Sequence, residues 1–359
     1  MAVFYVTTLV TYLLALLTRK IRSRNEKVAL FFLFFVIATL VLVSAIRSGI
    51  GDTGMYRHLY ELVNESYVSD GYEFGFVYFI RFLKLFSEDS QLLIIVTSVI
   101  INILNVVTIY RYSKDSYFEL GIFLYITSGY YIVTMNGIRQ SLAASILFFA
   151  TTLIIKKKYK TYFFIVLLMS TIHSSALVMI PLYFIVRRAP WEKVTNMLFG
   201  LTLLGLIFYE PMMNIVMKLL GNTRYEQYAE FNEGGANLIR ITVFAIPVIF
   251  AYLKQNIIKE KWEHGNIFVN MSIICFIVML FSSYNWIFAR FTIYFQLYSF
   301  VLMPYIISNC LEYKERRFFY FMLLVLYFIF FYYDQDIMTS VRYSTPYKFN
   351  DLLYYELKS

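Results

Sequence analysis

Charged residues and potential metal or disulfide ligands are scarce in this sequence. Only 15% of the 359 residues are Asp, Glu, Lys or Arg, whereas a soluble globular chain usually has about a quarter. The two cysteines, Cys275 and Cys310, lie in or at the end of apolar runs and form no metal-binding pattern, so we expect buried, unpaired thiols. Asp52 has no second ligand close to it in sequence, and we therefore expect neither a metal site nor a cofactor. These shortages exclude a soluble domain of ordinary composition and a fold built on disulfides.

Apolar side chains are abundant and make up 60% of the sequence. Runs of about 17–25 apolar residues recur from one end to the other, long enough for helices that cross a membrane. We therefore predict an all-α, polytopic integral membrane protein with a single transmembrane domain over residues 1–359. About twelve spans are predicted, at residues 2–18, 28–46, 90–110, 117–134, 140–155, 160–172, 174–186, 194–209, 238–253, 266–284, 290–309 and 318–333.

Basic residues follow the first apolar run, starting at Arg19 and Lys20, and none precedes it. A cleaved signal peptide has the opposite order, so we predict this run as the first spanning helix. Most of the 32 Lys and Arg residues fall in short connections after alternate spans, which places those connections in the cytoplasm and both termini outside. The outer face then carries loops 47–89 and 210–237 and a tail of residues 334–359. The net charge of +9 reflects this topology, and it does not indicate nucleic acid because no basic-aromatic groove accompanies it.

Arg139 lies between two predicted spans, at or just inside a membrane face. A charge near the bilayer centre costs about 2.5–3.5 kcal/mol on insertion scales, so such residues usually face a polar cavity or a partner. Snorkelling to the interface is the alternative. Other polar clusters, at Arg47 with Asp52, at His173 and at Arg290, are predicted at the same outer face, which favours a shared cavity.

The outer loop after the second predicted span begins with a glycine-rich turn. Glycines at 49, 51 and 54 break the helix and allow backbone amides to point at an anion, with Arg47 and Asp52 beside them. The alternative is an ordinary polar loop. Further along, residues 74–86 are apolar at helical spacing but too short and too charged to span, so we predict an interfacial or re-entrant helix. Glu73 would cap its N-terminus.

Two further patterns concern polar side chains within or between spans. Ser98, Asn102 and Asn105 share one face of the third span, which favours hydrogen bonds between helices over the alternative of a pore lining. His173 lies between two spans at the outer face, where a neutral imidazole can accept a proton from a sugar hydroxyl near pH 7. A packed histidine in a tight turn is the other interpretation of His173.

The loop at 210–237 combines aromatic rings with Arg, Asn and acidic side chains, including Arg224 and Tyr225. Such a mixture suits carbohydrate, because rings stack on sugar faces while polar groups bond hydroxyls. A glycine pair at 234–235 would allow the loop to move as a lid. A solvated connector explains the loop as well. At the start of the eleventh span, Arg290 and Tyr294 are four residues apart and are expected to share a helix face.

Several of these elements, taken in order, resemble the EpsG family. The elements are Arg47-x4-Asp52-x3-Tyr56, Asn136-x2-Arg139-Gln140-x2-Ala143, the outer His173, Arg290-x3-Tyr294-Phe295, and Pro346-Tyr347. That family belongs with the Wzy-type polymerases of bacterial surface polysaccharides, namely O-antigen, capsule and exopolysaccharide. The resemblance implies a GT-C-like membrane glycosyltransferase of the bacterial plasma (inner) membrane, active on the periplasmic or extracellular side. The family's functional positions correspond to Arg47, Asp52, Tyr56, Arg139, Gln140, His173 and Arg290.

The resemblance also implies substrates, which would be polyprenyl-pyrophosphate-linked oligosaccharides (the polyprenyl being undecaprenyl) drawn from the membrane lipid. Arg139 and Arg290 would then neutralise the leaving diphosphate, because guanidinium groups bind phosphate bidentately and stay charged. Arg47 would serve the second lipid-linked substrate. His173 is the first choice of base and Asp52 the second. Substrate contacts are assigned to Arg47, Tyr56, Gln140, Arg224, Tyr225 and Tyr294.

Two other functions fit an apolar chain of this kind. A flippase or transporter of the lipid-linked unit would often show internal repeats and broken helices at mid-depth, whereas here no half-to-half repeat is evident and the polar residues gather at one face. A membrane O-acyltransferase would also use a histidine at the outer face or the midplane. Whether a chain-length regulator binds the protein is left open by the sequence.

Overall fold

Nearly every apolar run of the sequence folds as a helix in the computed structural model, which describes residues 1–64, 71–211 and 235–338. The helices are α1 (Ala2–Arg22), α2 (Glu26–Ala45), α3 (Thr53–Leu62), α4 (Phe74–Lys84), α5 (Gln91–Tyr112), α6 (Phe118–Thr127), α7 (Tyr130–Asn136), α8 (Ile138–Phe149), α9 (Thr151–Ile155), α10 (Tyr159–Ser170), α11 (Met179–Val186), α12 (Lys193–Ile207), α13 (Leu238–Leu253), α14 (Gln255–Lys261), α15 (Gly265–Phe281), α16 (Ile287–Phe291), α17 (Gln296–Asn309) and α18 (Tyr313–Phe331). Shorter helical turns are the 3-10 segments Ser174–Val178 and Thr292–Tyr294 and the π-helix Tyr332–Met338.

The chain divides into two compact units. Unit 1 consists of Met1–Ile180 together with Met303–Ser359, and unit 2 is Pro181–Leu302. The chain leaves unit 1 within α11 and returns to it within α17. The prediction of a single transmembrane domain stays a prediction.

Unit 1 is built on contacts between α1, α2, α5, α6 and α8. α1 packs on α2 and α6, α2 on α5, and α5 on α8. The tight turn between α1 and α2 is fixed by Asn25, whose side chain accepts a hydrogen bond from the Val28 amide at 3.2 Å and so caps α2. The basic end of α1, with Arg19, Lys20 and Arg22 in its last turn, suits the negative end of the helix dipole.

A buried ion pair connects three helices of unit 1. The carboxylate of Glu119 on α6 is completely buried, and it accepts hydrogen bonds from Arg19 Nε of α1 at 2.6 Å and from the Tyr320 hydroxyl of α18 at 3.2 Å. The Arg19 guanidinium also lies 4.9 Å from the centre of the Tyr117 ring. A buried charge is tolerated when it is paired and hydrogen-bonded in this way.

Unit 2 is organised around α15. α13, α12 and α16 each pack against it. The Asn270 side chain of α15 donates hydrogen bonds to the backbone carbonyls of Val186 at 3.1 Å and Arg188 at 2.8 Å, which fixes the chain after α11. Cys275 on α15 and Cys310, which follows α17, are both buried, and neither forms a disulfide, as predicted.

Membrane spans are fewer by length than the sequence predicts. Within the described ranges, α1, α2, α5 and α18 with its π-helical extension are long and apolar enough to cross a membrane. Three bent pairs raise the possible number to seven: α6 with α7 (53°), α13 with α14 (70°), and α16 through Tyr294 with α17 (57°). The other predicted spans coincide with apolar helices of ten to seventeen residues. The protein is therefore an all-helical membrane protein, while the number twelve and a GT-C-like arrangement stay predictions.

The polar face of α5 bonds to neighbouring helices, as the sequence predicts. Ser98 hydrogen-bonds Ser44 of α2 at 2.8 Å, and the Tyr125 hydroxyl of α6 contacts Asn102 Oδ1 at 3.2 Å and Asn105 Nδ2 at 3.4 Å. All three polar side chains of α5 are buried. The role of hydrogen bonding between helices is thus confirmed.

The predicted short helix after the glycine-rich turn is present as α4. One face of α4, including Phe76 and Ile80, is buried against α3 and α5, whereas Phe74, Tyr78 and Phe82 on the other face are more than half exposed. At 11 residues α4 is too short to span a bilayer. Its position at the membrane interface remains a prediction.

Candidate functional site

Several polar side chains of unit 1 meet where α3, α4, α8 and the turn after α10 come together. We call this group the Arg139 cluster, and its members are Tyr56, Tyr72, Glu73, Arg139, Gln140, His173, Ser174 and Ser175. Four of them, Tyr56, Arg139, Gln140 and His173, are site residues predicted from the sequence. The helices bring these four together although they are up to about a hundred residues apart in the chain.

Arg139, in the first turn of α8, is held by a carboxylate and by aromatic rings. Its guanidinium forms a salt bridge with Glu73, and both side chains are largely buried, at 17% and 21% exposed. The guanidinium lies 4.8 Å from the centre of the Tyr72 ring and 5.8 Å from that of Phe76. Its Nε makes no hydrogen bond to any described residue. Glu73 and the two rings therefore fix the orientation of the guanidinium, while its Nε–H makes no hydrogen bond among the described residues.

Glu73 joins Arg139 to the turn that carries His173. One carboxylate oxygen accepts the Arg139 bond, and the other accepts the backbone amide of Ser174 at 2.9 Å. Burial acts to raise the pKa of the Glu73 carboxyl. The Ser174 amide and the positive charge of Arg139 outweigh that effect and hold the pKa below its ordinary value. Glu73 is therefore ionised at neutral pH.

His173 is positioned by hydrogen bonds within the same cluster. Its Nδ1 shares a hydrogen bond with the Ser175 hydroxyl at 2.7 Å, and Gln140 Nε2 donates to the same hydroxyl at 3.4 Å. His173 precedes the 3-10 turn Ser174–Val178 in an extended conformation. The bond to Ser175 fixes the direction of the His173 ring within the cluster.

Tyr56 on α3 completes the cluster beside Arg139. It is buried, and its hydroxyl lies beside the Arg139 guanidinium. Burial raises the pKa of the Tyr56 phenol, although the charge of Arg139 acts in the opposite direction. Tyr56 therefore remains protonated and is able to donate a hydrogen bond.

Gly75 permits the close approach of α4 and α10 on which the cluster depends. A Cβ at this position would lie 2.1 Å from Thr171 Oγ1 and 2.6 Å from the Thr171 carbonyl oxygen. Only glycine fits such a contact without a shift of one helix. The contact places Glu73, two residues earlier, within reach of Ser174, three residues after Thr171.

The backbone of Asp52 is bonded to Asn136, three residues before Arg139. Asn136, between α7 and α8, accepts a hydrogen bond from the Asp52 amide at 2.9 Å. Gly51 has a left-handed φ of +49°, and a Cβ there would lie 2.1 Å from Asn136 Oδ1. One amide of the glycine-rich turn is therefore directed at Asn136. That differs from the expectation that these amides point at an anion.

Arg47 lies beneath the turn and not at its surface. It is only 1% exposed, and its guanidinium donates to Thr53 Oγ1 at 3.1 Å, Ser98 Oγ at 3.1 Å and the Met135 carbonyl at 3.2 Å. It also bonds the carbonyl of Ser44. These contacts give Arg47 a structural role between α2, α3, α5 and the end of α7. Its assignment to a second substrate stays a prediction.

Arg290 and Tyr294 belong to unit 2, and they do not share a helix face as expected. Arg290 is exposed with its guanidinium 4.7 Å from the centre of the Trp286 ring, whereas Tyr294 is buried. The reason is geometric: α16 ends at Phe291 and continues as a 3-10 turn, in which residues four apart are no longer aligned. That Arg139 and Arg290 line one cavity stays a prediction.

Some predicted residues lie outside the described part of the chain. They are Arg224, Tyr225 and Gly234 of the 210–237 loop and Pro346 and Tyr347 of the tail. Their assigned contacts with substrate stay predictions.

Glu73 is the site residue that the sequence did not reveal. The sequence explains it as a helix cap, and it does stand at the N-cap position of α4, but its side chain makes no capping hydrogen bond. The carboxylate turns instead to Arg139 and Ser174. No local sequence pattern separates this pairing from an ordinary helix cap, because the pairing depends on how α4 and α8 approach each other.

The cluster has the parts needed to bind an anion and to accept a proton. Arg139 and Tyr56 supply donors, and His173 supplies an imidazole that is able to accept a proton. Within the described residues, no three side chains among His, Cys, Asp and Glu come close enough together to hold a metal ion. The chemistry available here is anion stabilisation combined with proton transfer.

Comparison with known proteins identifies the family. No curated protein and no solved structure matches the chain. The sequence profile described as the EpsG family matches residues 2–349, which is nearly the whole chain and includes every member of the Arg139 cluster. This protein therefore belongs to the EpsG family.

Proposed function

We propose that this protein joins polyprenyl-pyrophosphate-linked oligosaccharide repeat units into a bacterial surface polysaccharide at the outer face of the plasma membrane. Membership of the EpsG family makes it a polysaccharide polymerase-like membrane protein. The observation that carries the finer proposal is the Arg139 cluster. In it, Glu73 pairs with the Arg139 guanidinium and also accepts the backbone amide of Ser174, the residue after His173.

The proposed reaction transfers the growing glycan from its lipid diphosphate to a hydroxyl of the incoming unit. The hydroxyl oxygen forms a bond to the anomeric carbon, and the bond from that carbon to the diphosphate oxygen breaks with its electron pair leaving on the diphosphate. Arg139 stabilises the charge that develops there, because guanidinium bonds to phosphate are charge-assisted. His173 accepts the hydroxyl proton, with Asp52 as second choice.

The apolar helices around the cluster suit a substrate that arrives in the bilayer. Arg139 stands at the first turn of α8, where a helix N-terminus adds a favourable field for an anion. Tyr56 and Gln140 are assigned to substrate contacts beside it. Arg290 of unit 2 is the second proposed guanidinium for the diphosphate, and Arg47, Tyr294, Arg224 and Tyr225 complete the proposed binding residues.

Reconstitution of the purified protein with lipid-linked repeat units alone tests this proposal. We expect glycan longer than the starting unit, resolved on a gel by its ladder of sizes. Movement of the repeat unit across the membrane without elongation would indicate a flippase, and modification that depends on an acyl donor would indicate an O-acyltransferase. Either of those results contradicts the proposal. The same assay with added candidate proteins asks whether a chain-length regulator is a partner.

A further inference from the structure

Glu73 has two partners on two different elements, and both elements carry residues of the Arg139 cluster. Its Oε2 pairs with Arg139 of α8, and its Oε1 accepts the amide of Ser174 in the turn after α10 at 2.9 Å. Glu88, a little beyond the other end of α4, shows the ordinary case. It is 79% exposed, and among the described residues its ion pair is with Lys84, at 3.2 Å and four residues away.

The position of Glu73 is itself fixed by the packing of α4. Gly75 lies against Thr171, so the first turn of α4 cannot move relative to the end of α10 without losing that contact. The ring of Tyr72, the preceding residue, faces the Arg139 guanidinium at 4.8 Å. The carboxylate is therefore held from its backbone as well as through its two bonds.

We infer that Glu73 is the positioning residue of the Arg139 cluster, fixing Arg139 and the His173 turn at one spacing and facing His173 with a negative charge. This inference rests on the proposed function. A spacing fixed before substrate arrives matters, because small misplacements of catalytic groups reduce rates strongly. The negative charge favours the protonated imidazole, and so it stabilises the form of His173 that arises when the acceptor hydroxyl gives up its proton.

The charged and titratable groups near Glu73 lie on α8, on the turn after α10 and on α3. Arg139 faces it from α8, and His173 faces it from the turn after α10. Tyr56 stands beside Arg139 on α3, with Asp52 at the start of that helix, and Tyr72 is its neighbour in sequence. Arg139 keeps its charge at any pH of interest, so a titration of the cluster between pH 5 and 8 reports chiefly on His173.

The first experiment measures elongation rate against pH for the wild-type protein, Glu73→Gln and Glu73→Asp. The rate rises with pH through the pKa of His173, because only the neutral imidazole accepts a proton. Glu73→Gln removes the negative charge, so we expect this limb to move to lower pH. We also expect the rate constant to fall by up to about 100-fold, the loss that a misplacement of about 1 Å can cause. Glu73→Asp keeps the charge, so the limb stays near its wild-type pH and part of the rate returns.

Glu88→Gln is the matched control, since it removes the carboxylate of an exposed pair from the same stretch of chain. Its rate and pH profile should equal those of the wild-type protein. Monodisperse elution and thermal melting of each variant establish that the fold is retained. Glu73→Gln with the wild-type rate and an unshifted limb would overturn the inference. A faster Glu73→Gln enzyme would overturn it too, because Glu73 would then be an anion that competes with the substrate.

A second readout does not depend on turnover. The chain has only three histidines, so ring-labelled histidine gives three NMR titrations, and His173→Gln identifies the one that matters. We expect the pKa of His173 to fall in Glu73→Gln and to stay near its wild-type value in Glu73→Asp. An unchanged pKa in Glu73→Gln would refute the electrostatic part. If the wild-type protein failed to elongate glycan, the proposed function would fall, while this titration would still decide whether Glu73 acts on His173.

Discussion

The side chain of Asn136 accepts a hydrogen bond from the backbone amide of Asp52 at 2.9 Å, across 84 residues of sequence. This bond joins the glycine-rich turn after α2 to the connection between α7 and α8. Arg139 lies three residues after Asn136, in the first turn of α8. The bond therefore links the position of the glycine-rich turn to the position of Arg139. The predictions below concern the residues that hold this arrangement.

Arg139→Ala should abolish glycan elongation while the protein remains folded in the membrane. The guanidinium is proposed to stabilise the leaving diphosphate, and a charge-assisted interaction of this kind is worth about 1.5–3 kcal/mol or more. Polymer length in cells and elongation by purified protein both measure the effect. Arg139→Lys keeps the charge but loses the paired donors, so we expect partial activity. Unchanged polymer length in Arg139→Ala would remove Arg139 from the mechanism.

Asn136→Ala should slow elongation by releasing the glycine-rich turn. Loss of one partner from a hydrogen bond of this type costs about 0.5–1.5 kcal/mol, so the melting temperature should fall only slightly. Asn309→Ala serves as control, because the Asn309 side chain also bonds a backbone group in the same unit, donating to the Asp115 carbonyl at 3.0 Å. Equal elongation rates in the two variants would show that the tie to Asp52 has no bearing on the reaction.

Gly75→Ala should disturb the cluster through packing alone. The added methyl group would meet Thr171 at 2.1 Å, and overpacking of this kind costs about 1–3 kcal/mol. We expect a lower melting temperature together with reduced elongation, because the shift separates Glu73 from Ser174. Gly54→Ala is the matched control, since no atom lies within 4 Å of a Cβ built there. If both variants melt and elongate alike, the close approach of α4 and α10 is not required.

The stability of the protein should depend on pH through Glu73. The pKa of its carboxyl in the folded protein is held below the ordinary value of 4.5 by the Ser174 amide and Arg139, against the effect of burial. A group whose folded pKa is lowered stabilises the fold above its unfolded pKa, and that contribution is lost as pH falls through the folded value. The difference in melting temperature between the wild-type protein and Glu73→Gln should therefore be constant at neutral pH and shrink below about pH 4.5. A difference that grew on acidification would contradict the assignment.

Glu119→Gln should destabilise unit 1 without a direct effect on the reaction. It leaves the Arg19 guanidinium, which is 31% exposed, without its carboxylate, so we expect a loss smaller than the roughly 3–5 kcal/mol of a fully buried pair. The measurement is thermal melting in detergent, with elongation expressed per folded molecule. Glu263→Gln, at a side chain 89% exposed, should melt like the wild-type protein. An equal melting temperature for Glu119→Gln would show that the ion pair contributes no stability.

The sequence predicts what depends on local periodicity and misses what depends on approach between helices. Ser98, Asn102 and Asn105 lie on one face because an α-helix repeats every 3.6 residues, and their contacts follow from that. Glu73 pairs with Arg139 only because Gly75 lets α4 approach α10, and no local pattern announces such a contact. The prediction that Arg290 and Tyr294 share a helix face was wrong because the local geometry changes. The α-helix ends at Phe291, and the 3-10 turn that follows rotates Tyr294 away from the face of Arg290.

The predicted number of spans also shows that sequence periodicity does not reveal how helices bend and pack. Apolar runs locate the helices closely, but they do not reveal the 53° bend between α6 and α7 or the 57° bend before α17. Arg47 illustrates the point for a single residue. From sequence it is an exit arginine beside a turn, whereas its burial depends on acceptors supplied by α3, α5 and the end of α7.

Binding of a short-chain polyprenyl diphosphate to the purified protein tests the central claim most directly, because the claim is that Arg139 holds this group. The affinity can be measured by calorimetry in detergent for the wild-type protein and for Arg139→Ala. We expect binding about 10- to 100-fold weaker in Arg139→Ala, which corresponds to the loss of one charge-assisted contact. Equal affinity in the two proteins would contradict the account.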